Sequence, residues 1–305
     1  MNTINYIKNN KKLFLLILLI LLVIIISCIL IKYRNNKDTY TNNTEYILPK
    51  TIWMFWDKEE LPNHISLIYN NNKKILNDWD INLLNNNNIK DYLDFDSFQK
   101  NYESLAIQAK TDLIRLKLLN KYGGIWMDAS IIINSKTEFE KMFNDTVNNK
   151  VELSAFTLYE KDDSFKYHQY IESWFLIAPK NSYIISLWLE EFEKAINMGF
   201  DEYNKYITDT LKVKICNEIN KFGSYLTIHK TLQVVLQNKI VDKDYTPKLL
   251  LFKSEDNMFK LYSNCNWDNN CIKDTFENNL EIKNIPYIKL TGSGNGLNMD
   301  KFFSK

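Results

Sequence analysis

Apolar residues along the chain alternate between short β-type runs and longer segments with helical spacing. Residues 51–56 are β-branched and aromatic, and Trp79, Ile81 and Leu83 alternate with polar residues; both patterns indicate strands. Further strands are predicted at residues 125–133, 153–159, 171–178 and 287–290, and helices at 62–74, 90–95, 104–120, 182–198, 203–220 and 224–237. Strands that alternate with helices predict an α/β domain with a mostly parallel sheet flanked by helices.

A long apolar segment precedes this domain. Residues 13–31 are 19 consecutive positions, apolar except for Ser27, and as a helix they would span about 28 Å, close to one hydrocarbon core. A cleaved signal peptide is the alternative, but it has a shorter apolar region and a small-residue cleavage site. We predict a tail at 1–12, a transmembrane anchor at 13–32, a stem at 33–47 and one domain at 48–300. Lysines and arginines lie on both sides of the anchor, so the positive-inside rule does not decide its orientation. The short segment before the anchor and the long domain after it favour a type II single-pass protein with a translocated domain.

The net charge and the cysteine content exclude some classes of binding partner. The net charge is +1, which gives no electrostatic basis for binding nucleic acid. Cys265 and Cys271 enclose a turn-rich loop that a disulfide could close, although two free thiols are an equal alternative. Two cysteines without nearby histidines make a poor zinc site.

Residues 109–133 contain the most informative pattern. Asp112 and Arg115 lie one helical turn apart, Tyr122-Gly123-Gly124 breaks the helix, and an apolar strand then carries Asp128. A lone carboxylate inside an apolar strand is costly unless it is paired or bound to a metal. A simple ion pair could explain Asp112 and Arg115, but buried charged pairs seldom stabilise a fold more than apolar packing does, which favours a functional role.

The segments Thr111-Asp112-x-x-Arg115 and Tyr122-Gly123-Gly124-x-Trp126-x-Asp128 resemble the capsular polysaccharide synthesis family, related to sugar transferases with a DxD region (glycosyltransferase family 32-like, GT-A fold). The resemblance implies a GT-A-like domain that transfers a hexose or N-acetylhexosamine from a nucleotide-diphosphate sugar to a glycan or lipid-linked acceptor, with retention of configuration. It also implies Mn²⁺ or Mg²⁺ as cofactor. One departure is that Ser130 stands where a strict DxD has its second acid.

The resemblance also suggests roles for single residues. Asp128, Asp112 and Arg115 would be catalytic; these three would bind the donor together with Trp56, Tyr122 and Gly124; and Asp128, Ser130 and His229 would hold the metal. Ordinary alternatives are a core tryptophan for Trp56 and a satisfied helix histidine for His229. Glu172, Asp209 and Glu218 are candidate acids near the acceptor, and the glycine-rich residues 291–296 are either a phosphate-binding or a flexible loop.

Two other classes of protein remain open from the sequence. The missing second acid would suit a catalytically weak or inactive relative that binds a glycan or a partner at the membrane. A structural membrane protein would explain the anchor but not the group formed by Asp112, Arg115 and Asp128.

Overall fold

The computed structural model describes Leu22, Ile26, Ser27 and residues 45–94, 102–158, 170–240, 245–294 and 296–304. Contacts divide the chain into two units, Met1–Tyr46 and Ile47–Lys305, and the second unit is described below. The predicted anchor at 13–32 lies outside the described residues except at Leu22, Ile26 and Ser27. Within the part of the chain that is described, no helix is both long and apolar enough to cross a membrane.

Two sheets organise the described part of the second unit. The larger sheet has the strand order β2-β1-β3-β6-β5-β7, and only β6 runs against the other five strands. The smaller sheet pairs β4 with β8. The strands are β1 (Thr51–Phe55), β2 (Asp80–Leu84), β3 (Gly124–Met127), β4 (Ile131–Ile133), β5 (Leu153–Leu158), β6 (Tyr170–Ala178), β7 (Leu249–Lys253) and β8 (Tyr287–Lys289). The predicted α/β class with a mostly parallel sheet is confirmed.

Helices connect these strands. The α-helices are α1 (Asn63–Ile75), α2 (Ile107–Tyr122), α3 (Lys136–Asn148), α4 (Tyr183–Met198), α5 (Phe200–Lys205), α6 (Asn217–Asn220), α7 (Thr227–Val234), α8 (Lys260–Asn264), α9 (Asn269–Asn278) and α10 (Met299–Phe303). Helix α4 begins as its sequence indicates, because the Ser182 hydroxyl accepts a hydrogen bond from the N–H of Ile185.

Alternate residues of the central strands enter two separate apolar cores. Ile52 and Met54 of β1 join a core with residues of α1 and α3, whereas Trp53 and Phe55 join a core with residues of α2, α4 and α7. Successive side chains of a strand point to opposite faces, so the larger sheet is buried between two helical layers. Burial on both faces explains why β1 and β3 are apolar runs without alternation.

The strand predicted at 125–133 is wrong as a single element. The chain leaves the larger sheet after Met127, turns through Asp128, Ala129 and Ser130, and enters the smaller sheet at Ile131. The Asp128 carbonyl accepts a hydrogen bond from the N–H of Ile131 at 3.1 Å, which closes the turn. Both halves are fully buried, so apolar composition alone did not show the break.

Other differences lie elsewhere in the chain. The helix predicted at 203–220 ends early: α5 continues into a wider helical turn at Tyr206–Thr210, and α6 forms separately after an extended segment. Strand β7 and the helices α3, α8, α9 and α10 were not predicted. Cys265 and Cys271 form a disulfide.

The turn between α2 and β3 requires its glycines. Gly123 has φ +70° and ends α2, with its N–H donating to the Leu119 carbonyl, and Gly124 has φ +101°. A Cβ on Gly124 would lie 2.6 Å from the Thr51 carbonyl oxygen of β1. The missing side chain therefore allows β3 to start directly beside β1, one residue after a helix.

We expect Gly124→Ala to destabilise the protein more than Gly199→Ala. Gly199 also has a positive φ, but a Cβ there meets no atom within 4 Å. Its substitution should cost only backbone strain, about 1–3 kcal/mol, whereas Gly124→Ala adds to such strain a backbone clash of about 1–3 kcal/mol. Urea denaturation followed by circular dichroism measures both. Equal losses would show that the contact with Thr51 is unimportant.

Candidate active site

A cleft of about 620 Å³ opens at one end of the central strands of the larger sheet. It lies at the carboxyl ends of β1 and β3, where Trp56 and Asp128 follow the strands, and at the amino end of the reversed strand β6. From β1 the chain passes to β2 on one side and later to β3 on the other side. Such a reversal of strand order leaves a crevice that binds ligands in open α/β sheets.

Asp128 is fixed at the floor of this cleft by backbone and side-chain contacts. Its N–H donates to the Trp174 carbonyl at 2.9 Å. Its Oδ1 accepts from Trp126 Nε1 at 3.0 Å and from Arg115 Nη2 at 3.3 Å, and its Oδ2 lies 3.4 Å from Lys289 Nζ. The carboxylate is therefore paired with two cations and oriented by an indole.

Arg115 joins helix α2 to the loop after β3. One terminal nitrogen of the guanidinium donates to Asp112 Oδ1 and the other donates to Asp128. Its central carbon lies 4.9 Å from the centre of the Trp126 ring, and its side chain is 5% exposed. The expected pairing of Asp112 with Arg115 is present, and Arg115 also bridges to Asp128.

Asp112 is a buried carboxyl group in this cluster. Burial, opposed by the nearby charges of Arg115 and His229, raises the pKa of Asp112 above its ordinary value. The negative charge of Asp128 also raises the pKa of Asp112. Protonation of Asp112 is therefore easier than in water, and Arg115 is the group that opposes it most.

Ser130 and Lys289 meet beside Asp128 in the cleft. Lys289 lies on β8, where it faces Ile131 of β4, and its Nζ donates to Ser130 Oγ at 2.6 Å and to the Leu290 carbonyl at 3.3 Å. Leu290, Thr291 and Gly292 also line the cleft. The structure thus brings part of the glycine-rich segment to the cleft.

His229 and Glu172 form a second polar pair in the cleft. His229 Nε2 lies 3.7 Å from Glu172 Oε2, and both side chains are more than nine-tenths buried. Neither ring nitrogen of His229 has a hydrogen-bond partner among the described residues. Of the other candidate acids, Asp209 is exposed on the turn after α5, and the side chain of Glu218 lies outside the described part.

Aromatic side chains form the apolar part of the cleft, which Trp56 lines together with Phe55, Tyr170, Trp174, Tyr225 and Phe259. Tyr122 and Gly124 do not line it. The Tyr122 hydroxyl donates to the Tyr92 carbonyl at 2.7 Å, its ring packs on Trp53, and Gly124 packs against β1. Both residues lie at the beginning of β3, away from Asp128 at its end.

The comparison with protein families decides the assignment. The model of the family described as "Capsular polysaccharide synthesis protein" matches residues 25–290. The chain belongs to the capsular polysaccharide synthesis family. The family and the enzyme class predicted from residues 109–131, a glycosyltransferase, are therefore confirmed.

Among curated proteins, no sequence matches this chain. Similar solved structures include the PaToxG glycosyltransferase, with 13% identity over 72% of this chain and 88% of that chain and a TM-score of 0.33. A glycosyltransferase involved in glycosylation of the major capsid of PBCV-1 has 9% identity over 84% and 98% of the two chains and a TM-score of 0.41. The catalytic domain of alpha-toxin from Clostridium novyi has 11% identity over 66% and 65% and a TM-score of 0.35.

The residues predicted to hold Mn²⁺ or Mg²⁺ do not form a metal site in this arrangement. Asp128 Oδ1 accepts from Arg115 and Trp126, Asp128 Oδ2 lies 3.4 Å from Lys289 Nζ, and the Ser130 hydroxyl accepts from Lys289. His229 faces Glu172. Within the described residues, no group of three His, Cys, Asp or Glu side chains could hold an ion. Mn²⁺ and Mg²⁺ prefer several free oxygen ligands. The oxygens of Asp128 and Ser130 instead contact Arg115, Trp126 and Lys289.

Lys289 is the site residue that sequence reasoning missed. Residues 287–290 were predicted correctly as a strand, but no role was given to the lysine inside it. The available signal was a lone cation within an apolar run, the counterpart of the lone carboxylate at Asp128.

We expect Arg115→Met to destabilise the fold by about 3–5 kcal/mol, because it leaves Asp112 and Asp128 without their shared partner in a buried site. The double variant Asp112→Asn/Arg115→Met should lose at least about 1 kcal/mol less than the sum of the single losses. Urea denaturation of the four proteins in the cycle measures this coupling.

The exposed pair Lys141–Asp145 on α3 provides the matched control. A cycle with Lys141→Met and Asp145→Asn should give a coupling below about 0.5 kcal/mol. Additive losses at Asp112 and Arg115 would show that the two side chains do not depend on each other.

Proposed function

We propose that this protein is a membrane-anchored, GT-A-like glycosyltransferase. It transfers a hexose or N-acetylhexosamine from a nucleotide-diphosphate sugar to a glycan or lipid-linked acceptor. One observation carries the proposal: Arg115 bridges Asp112 and Asp128 within a cleft at the crevice where the strand order reverses. Membership of the capsular polysaccharide synthesis family supports it.

The aromatic and charged groups of the cleft suit the parts of such a donor. Trp56 is half-buried after β1 and offers a ring surface for a nucleotide base. The group around Asp128 lines the same cleft and contains the cations that an anionic leaving group requires. Fixed charges aimed at a departing diphosphate stabilise the transition state without reorganising during the reaction.

Asp112 and Arg115 would position the sugar. A carboxylate accepts hydrogen bonds from sugar hydroxyls with charge-assisted strength, and Asp112 faces the cleft while Arg115 holds one of its oxygens. Because Arg115 also holds Asp128, the sugar-binding and leaving-group sides would be fixed relative to each other. Tight positioning of this kind lowers the barrier by removing orientational freedom before the reaction.

Three finer properties stay predictions. Retention of anomeric configuration is implied by the family resemblance alone, and product analysis by NMR would test it. Metal dependence also rests on that resemblance, and the donor set around Asp128 does not support it. The anchor at residues 13–32 rests on sequence.

We expect the purified full chain, in detergent, to release nucleoside diphosphate from at least one nucleotide sugar. A screen of donors in Mn²⁺ and in EDTA identifies the sugar and tests metal dependence together. Asp128→Asn should lower turnover at least tenfold, about 1.4 kcal/mol, because the amide no longer holds Arg115 and Lys289 by charge.

Asp145→Asn on α3 is the matched control and should leave turnover unchanged. If Asp128→Asn folds and keeps full activity, the site assignment fails. If no donor turns over in either condition while a glycan binds, the chain is instead a binding relative without activity.

We expect the full chain to remain in the membrane fraction after carbonate and high-salt washing, because a helix of about 19 apolar residues is long enough to span the bilayer. Amino-terminal sequencing or intact mass of the mature protein should show the intact N-terminus. A mature chain that starts near residue 35 would show a cleaved signal peptide instead.

A further inference from the structure

Two of the three partners that hold Lys289 in the cleft, Ser130 and Asp128, are far away in the sequence. Its ammonium contacts Ser130 Oγ at 2.6 Å, the Leu290 carbonyl at 3.3 Å and Asp128 Oδ2 at 3.4 Å, and its side chain is only 13% exposed. The shortest contact is to a neutral hydroxyl, whereas the contact to the carboxylate is the longest. Ion pairing with Asp128 therefore does not by itself explain where the ammonium lies.

Lys289 is not the only cationic partner of Asp128, because Arg115 contacts the same carboxylate. The guanidinium and Trp126 Nε1 both donate to Asp128 Oδ1. Each terminal nitrogen of Arg115 contacts a carboxylate, and its plane lies against the Trp126 ring. Both terminal nitrogens of Arg115 are thus held by carboxylates, its Nε is buried without a hydrogen-bond partner among the described residues, and its side chain is 5% exposed.

Among the described residues that line the cleft, the cationic side chains are Arg115, Lys289 and, when protonated, His229. His229 lies against Glu172. Lys289 is consequently the cation best placed to meet an anionic ligand, since its contacts to Asp128 and the Leu290 carbonyl are long enough to exchange. A lysine ammonium binds phosphate as a point charge with several N–H donors.

The strand that carries Lys289 is fixed on both sides. The Lys289 N–H donates to the Met258 carbonyl at 2.9 Å, and the Thr291 N–H donates to the Tyr262 hydroxyl at 3.0 Å. These bonds hold the backbone before and after Leu290 against the α8 region. The ammonium is therefore pre-positioned, which reduces the ordering cost when a ligand binds.

We propose that Lys289 is the cation that binds the diphosphate of the donor, and that Asp128 and Ser130 position its ammonium rather than serving as metal ligands. The inference rests on the proposed glycosyltransferase function and assigns the leaving-group contact within that site. On binding, phosphate oxygens replace the long contacts to Asp128 and Leu290, while the short hydrogen bond to Ser130 is kept.

Calorimetric titration of the full chain in detergent tests this role. The probes are uridine and guanosine diphosphates and the corresponding nucleosides, each titrated in EDTA and again in Mn²⁺. We expect the wild-type protein to bind a diphosphate in EDTA. Lys289→Gln should weaken that binding at least tenfold and leave nucleoside binding within twofold, because a nucleoside has no phosphate.

Two further variants separate charge from folding. Lys289→Arg keeps a cation and should retain diphosphate binding within about threefold. Lys141→Gln removes an exposed lysine on α3 and should change nothing. For the wild-type protein, diphosphate binding should also weaken with added salt, since screening reduces charge pairing, and Lys289→Gln should show less of this dependence.

Two outcomes would overturn the role of Lys289 and leave the proposed function intact. One is a folded Lys289→Gln that binds diphosphate as tightly as the wild-type protein. The other is wild-type binding that occurs only with Mn²⁺, which would give the contact to a metal. If the wild-type protein neither binds any diphosphate nor turns over a donor, the proposed function itself fails and this inference with it.

Discussion

The guanidinium of Arg115 is the group on which the rest of the site depends. It lies between Asp112 on α2 and Asp128 after β3, and all three side chains face the cleft. The buried Asp112 carboxylate depends on this cation, because the cost of its desolvation would otherwise exceed what packing returns, whereas Asp128 is 26% exposed and also contacts Lys289. The bridge therefore fixes the distance between a helix and the end of a strand.

The glycine turn makes this bridge possible. Helix α2 ends at Tyr122 and β3 begins at Gly124, so one residue separates the helix from the strand. Gly124 lets β3 lie against the backbone of β1, and four residues later the chain delivers Asp128 to the edge of the sheet. Tyr122 and Gly124 thus determine where Asp128 lies without lining the cleft. Their place in the sequence motif has a structural reason that is independent of any contact with a donor.

The charged group of the site could be predicted from sequence because most of its members are neighbours in the chain, whereas Trp56 and His229, which also line the cleft, were named from the family resemblance. Asp112, Arg115, Trp126 and Asp128 fall within seventeen residues, and helical and strand geometry already bring them together. Lys289 could not be placed in the same way, because it reaches Ser130 through the pairing of β4 with β8 across 159 residues. The break after Met127 was hidden for a different reason. Ile125–Met127 and Ile131–Ile133 are equally apolar, and only the choice of sheet separates them.

A lone carboxylate in an apolar run needs a partner or a metal, and this structure supplies the partner twice. Asp128 leaves the strand before it would be enclosed, and it then meets Arg115 on one side and Lys289 on the other. The two cations differ in what holds them. Arg115 is tied to two carboxylates and an indole, whereas the shortest bond of Lys289 is to a hydroxyl. A site that must first bind an anion and then stabilise its departure benefits from a cation fixed by several partners and from a cation with weaker contacts. The tied cation keeps the geometry during the reaction, and the other exchanges partners at little cost.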